Sequence, residues 1–149
     1  MSENILKNVA RTLVQFPLAS GGTDPASSVV DMQGFGSVRF IGILGTAGST
    51  DVCTLAVQQS ATTGSTTFTA ITGATQTSTA GQSDATFDIT VTRPRLRYLR
   101  TQLTNSAAVE YGGTIALRGD EIGVSPTSND AATSVSTGTP EVFVVPQTT

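Results

Sequence analysis

Few side chains in this sequence can do chemistry, and those few are spread out. Arginines cluster once, as Arg93, Arg95 and Arg97 with Arg100 close behind. On an extended strand the first three share a face by parity, and three guanidinium groups on one face can hold carboxylate or phosphate groups of a partner. Neutralisation by Asp88 or similar residues of a paired strand, or by a neighbouring subunit, is the structural use of the same charges. The carboxylates Asp24, Asp31, Asp51, Asp84, Asp88, Glu110, Asp120, Glu121, Asp130 and Glu141 are scattered. Only Asp120 and Glu121 are adjacent, and neighbours on a strand point to opposite faces. Many of the Asp residues stand beside Gly, Ser or Thr, where they form turns through their own backbone. No loop has the EF-hand ligand spacing. A two-carboxylate glycosidase site would lack an aromatic platform, because the chain has no Trp.

Nucleophilic catalysis fares no better. The sequence contains no His to act as base, no G-x-S-x-G elbow and no phosphate-loop pattern. Cys53 is the sole cysteine, so no disulfide or zinc framework can form within one chain. It shares a strand face with Leu55 and Val57, which predicts a buried, inert thiol. These readings predict a protein that is not an enzyme and carries no catalytic, cofactor or metal site.

Composition points the same way. Charged residues make up 13% of the 149, against about 25% in ordinary soluble domains, and the net charge is −3. Thr, Ser, Gly and Ala take the vacant surface positions, a polar exterior with little side-chain entropy to lose on contact. Negative charge and few aromatics argue against a nucleic-acid partner. No apolar run approaches the ~20 residues needed to span a bilayer, and the polar-broken N-terminus makes a poor signal peptide. The expectation is assembly in a cytoplasm, with no membrane partner.

The elements that carry these side chains read as strands. Thr12, Val14, Phe16 and Leu18 alternate in the first, which Pro17 ends. Ser28 to Met32 is a short strand. In Ser37 to Leu44, Val38, Phe40 and Leu44 lie on one face and Arg39, Ile41 and Ile43 on the other, predicting a central strand covered on both sides over its second half. Cys53, Leu55 and Val57 point inward in the next. Thr67 to Ile71 reads as a short strand, followed by a Thr/Ser/Gly/Gln loop from Gly73 to Asp84. Phe87, Ile89 and Val91 then alternate with Asp88, Thr90 and Thr92. Leu96 and Tyr98 fall on the opposite face from Leu99 and Leu103, a register conflict that predicts a β-bulge near Tyr98 or a strand buried on different faces along its length. Asn105-Ser106 turns the chain, and Val109, Tyr111, Ile115 and Leu117 continue the inward face across Gly112-Gly113.

Turn signals every ~8 to 12 residues predict an all-β fold. Its architecture would be an antiparallel, jelly-roll-like sandwich of about eight strands over residues 10–121. Residues 1–9 read as an N-terminal arm, either docked or carrying a short helical turn capped by Ser2. Residues 122–149 form a Ser/Thr-rich linker and a C-terminal strand arm, whose Val142, Phe143, Val144 and Val145 are candidates for pairing with the chain's own sheet edge or a neighbour's.

The run VDMQGFGSVRFIGILGTAGSTDVCTLAVQQSATTGSTTFTAI, followed by FDITVTRPRLRYLRTQLT, resembles small structural proteins of tailed bacteriophages. The shared cadence is Asp31-x-x-Gly34-Phe35, a long apolar strand, Gln59-Ser60 at a strand end, a Thr-rich hairpin and Arg97-Tyr98-Leu99-Arg100. It covers residues 30–104. The resemblance implies a capsid decoration (cement) protein on the exterior of a virion, with the major capsid protein as partner. The absence of catalytic groups, the Thr-rich framework and the tethered C-terminal strand add the expectation of a homo-oligomer, for which a trimer is favoured. Where that family carries an acidic tip, residues 60–64 here read SATTG. The alternatives are a head–tail junction or tail component and a carbohydrate-binding module.

Overall fold

The computed structural model describes residues 10–19, 26–105, 109–121 and 141–144. Among the described residues nine strands form two sheets: β1 (Ala10–Gln15), β2 (Val30–Asp31), β3 (Phe35–Ala47), β4 (Cys53–Ser60), β5 (Thr69–Thr77), β6 (Ala85–Thr92), β7 (Tyr98–Asn105), β8 (Val109–Glu121) and β9 (Glu141–Val144). One sheet has the order β1-β8-β3-β6-β9 and the other β2-β7-β4-β5. Among the described residues the only helical element is the 3-10 turn Ser65–Thr67.

The antiparallel pairs are nested: β1 with β8, β2 with β7, β3 with β6 and β4 with β5. A long hairpin with β4 and β5 at its tip, rolled so that successive pairs fall in alternate sheets, gives that order. It is a jelly roll, so the all-β sandwich expected from the sequence is the fold observed. The core lies between the sheets, where Val38, Phe40, Leu44, Leu55, Val57, Ile89, Val91, Leu99 and Leu103 are all buried.

Alternation predicts the inward face correctly for β4 and β6 and for the first face of β3. Cys53 is buried, as expected, and its Sγ lies 3.0 Å from Asn105 Oδ1. Elsewhere irregular backbone overrides the two-residue period. Leu44 pairs with Tyr111 and Ile43 with Gly113, so β8 carries one extra residue and Gly113 has φ +104°. That bulge reverses parity: Val109 and Tyr111 point in, but beyond it Thr114 and Ala116 are buried while Ile115 and Leu117 are half-buried on the outside. A second irregularity, between Leu13 and Gln15, buries Val14 and Gln15 together and leaves Phe16 73% exposed.

Three further expectations are corrected. The bulge near Tyr98 is absent, because Leu96 lies outside β7 and the pairing of β7 with β4 runs unbroken from Tyr98 to Asn105. β5 reaches Thr77 and absorbs part of the expected loop, burying Ala74 and Gln76. The outer face of β3 is not covered by the described residues, since Ile43 is 42% exposed. The turn at Ser106 and the arm 1–9 lie outside the described residues.

Candidate interaction surfaces

The arginine cluster sits in the connection between β6 and β7, not on a strand. Arg93 has φ +49°, a left-handed conformation in which strand parity has no meaning. Its N–H donates to Gly36 O at 2.7 Å, and Met32 N–H donates to Arg97 O at 2.9 Å. These bonds lace the 93–97 loop to the turn between β2 and β3. Between the loops lies a cleft of about 450 Å3, lined by Met32, Phe35, Arg93, Arg95 and Arg97 among others. Loop lacing thus gathers the three arginines that parity grouped for a different reason.

Their charges are not equally placed. Arg97 grips Asp31 with two parallel bonds, Nε to Oδ1 at 2.8 Å and Nη2 to Oδ2 at 2.7 Å, and its guanidinium lies 5.0 Å from the Tyr98 ring centre. The bidentate bond to Arg97 holds the Asp31 carboxyl down at about 2, with help from the Gln33 N–H. Arg118, from β8, stacks 4.7 Å above Phe35 and donates to Asp31 O at 2.8 Å. Sequence reasoning missed Arg118, because β8 reaches this end of the sandwich only through β3. Asp88, expected to neutralise this cluster, pairs instead with Arg39 across β3 and β6, with Nε to Oδ1 at 2.7 Å. A cleft lined by three arginines and by apolar residues such as Met32 and Phe35 suits carboxylate or phosphate groups held beside an apolar contact.

A second surface lies on the outside of the larger sheet. Leu13, Ile115 and Ile41 stand side by side across β1, β8 and β3, with Ile43 next along. Leu13 is 49% exposed. The β8 bulge completes the row, because it turns Ile115 outward between Leu13 and Ile41. Beside it the Arg39–Asp88 pair is neutralised internally, so covering the row buries no net charge there.

The third surface is a sheet edge. β9 pairs in parallel with β6, Ile89 opposite Glu141 through Thr92 opposite Val144. Of the arm residues singled out by sequence, Val142, Phe143 and Val144 therefore lie on the chain's own sheet, and Val145 lies outside the described residues.

Among the described residues no group of three or more His, Cys, Asp or Glu is placed to hold a metal ion, and no helix is long and apolar enough to cross a membrane. No protein-family profile matches the sequence, and no curated protein matches it. Among solved structures, the crystal structure of PirA aligns at 14% identity over 76% of this chain and 85% of that one, with a TM-score of 0.32. A superposition that loose bears on neither fold nor function.

Proposed function

We propose that this chain is a structural protein of a tailed-phage virion. In this reading it decorates the capsid shell as a homo-oligomer, with the major capsid protein as partner, and stabilises the shell without catalysing a reaction. The observation that carries the reading is the outward apolar row Leu13–Ile115–Ile41–Ile43 on the larger sheet of a charge-poor chain. Such a row gains by being covered, and attachment by apolar burial survives the salt that would loosen an ion-paired contact. The resemblance over residues 30–104, which spans β2 to β7, supplies the particular partner. The jelly roll itself is neutral, since the same architecture serves capsids, lectins and enzymes.

Quantitative mass spectrometry of purified particles tests the reading. A copy number matching the shell lattice supports it. A copy number of one small ring moves the protein to the head–tail junction, and absence from particles refutes it.

A further inference from the structure

The β6 edge is closed by two devices, a side chain and a separate strand. Asp88 N–H is capped by the Gln76 carboxamide, donating to Oε1 at 2.6 Å. That bond directs the N–H of Asp88, which faces Ile41 in the β3–β6 ladder, away from β3. By the two-residue period of a strand, the N–H groups of Thr90 and Thr92 point the same way. There the covering is β9, paired over Ile89 to Thr92. The first cap comes from a side chain fixed in β5. The second comes from a four-residue strand joined to β8 only through residues 122–140.

The length of that connection matters. From Glu121 on β8 to Glu141 on β9 the path crosses three strand spacings and runs back about five residues, roughly 22 Å by sheet dimensions. A Ser/Thr/Gly-rich sequence of this length has a random-coil root-mean-square span of roughly 25 Å, and about 65 Å at full extension. That length suffices for closure on its own edge and leaves roughly 40 Å of further reach for the edge of a second copy. Every backbone bond made within one chain is available between two, because the donor and acceptor sequences are identical.

We propose that β9 is an exchangeable strand: the C-terminal strand of one copy pairs with β6 of a second copy, in the same parallel register. Closure within the chain competes at an effective concentration on the order of millimolar. Exchange therefore dominates where copies are concentrated or held side by side, as on a lattice, and self-closure dominates in dilute solution. The inference builds on the reading of this chain as a multi-copy protein, but its test uses the purified protein without particles. Its failure would leave shell attachment untouched, and loss of shell attachment would leave it standing.

The experiment places one thiol on each partner strand of the full chain. Thr90 and Val142 are opposite each other, and strands about 4.8 Å apart lie within disulfide range. Thr90→Cys and Val142→Cys proteins, distinguishable by mass, are mixed and oxidised from micromolar to near-millimolar concentration. The expected result is a mixed disulfide that becomes the main oxidised species at the high end. Thr86→Cys, which lies before the β9 pairing, should give at least tenfold less. A chain carrying both Thr90→Cys and Val142→Cys should close on itself when dilute. Intramolecular closure at every concentration with no mixed product overturns the proposal. So does equal yield from Thr86→Cys, which would mark random collision. Failure of both closure and mixing overturns it too, by denying the β6–β9 register.

Discussion

At the residue scale, one glycine and one carboxylate carry the sharpest consequences. A Cβ on Gly42 would sit 2.4 Å from Tyr111 Oη and 3.0 Å from Leu55 Cδ2, both fully enclosed. The Tyr111 hydroxyl is fixed by Thr114 Oγ1 at 2.6 Å, and burial pushes the phenol well above its ordinary pKa, so it stays neutral. Gly42→Ala should therefore destabilise by about 1–3 kcal/mol, the usual cost of overpacking. Denaturant melts should show a smaller loss when the same change is made in a Tyr111→Phe background, because the clashing oxygen is gone. Asp31 supplies the pH dependence. Its folded pKa lies below the unfolded value of about 3.9, so its contribution is present above that value and is lost as pH falls toward about 2. The Tm gap between the natural protein and Asp31→Asn should be small, as for any exposed pair. It should be constant from pH 7 to 5 and close between pH 4 and 2. A gap that persists at pH 2 would assign the effect to something other than the carboxylate.

At the element scale, the β6 edge gives a prediction by individual amide. Removing residues 141–149 should leave the sandwich folded, since the core and the eight nested strands lie outside that segment. Hydrogen exchange at Thr90 and Thr92 should rise strongly. Asp88, held by Gln76, and Ile89 and Val91, directed at β3, should stay protected. If all five respond alike, β9 supports the whole of β6 instead of only its edge. This is also the scale at which the sequence was most and least legible. Alternation in Cys53–Leu55–Val57 and Phe87–Ile89–Val91 reports the inward face directly, because the pairing of β4 with β7 and of β6 with β3 runs without a register shift. The outward turn of Ile115 and Leu117 was not legible. It depends on one extra residue in β8 relative to β3, and Gly112-Gly113 advertises a kink without saying that parity reverses. The arginine cleft was half legible. The charges are plain in the sequence, but their gathering depends on a left-handed Arg93 and on bonds to a turn some sixty residues away.

At the scale of the whole molecule, the two faces of the larger sheet do different work. The inner face is core, and the outer face carries an apolar row with its neighbouring ion pair already satisfied. If that row meets the shell, Leu13→Asp with Ile43→Asp should lower particle occupancy by tenfold or more. The Tm of the free protein should change little, because both side chains are exposed. Attachment by the natural protein should be nearly insensitive to salt between 50 and 500 mM. Undiminished occupancy of the double variant would exclude the row. A steep salt dependence would shift the contact to the arginine cleft, where Arg95→Ala is the next variant to test.

The nested pairing of the jelly roll also sets an order in time. The β4–β5 hairpin at the tip joins residues close in sequence, whereas β1 has to wait for β8, with Ala10 opposite Arg118. Loop closure is cheapest for the innermost pair and dearest for the outermost. At a synthesis rate of about 5–20 residues per second, β1 waits roughly 5–20 s for its partner to emerge. During that interval Leu13 and the open backbone of β1 are exposed to other nascent chains. The rolled hairpin thus leaves its first-made strand as its last-placed one, which makes β1 the place where crowded synthesis would go wrong first.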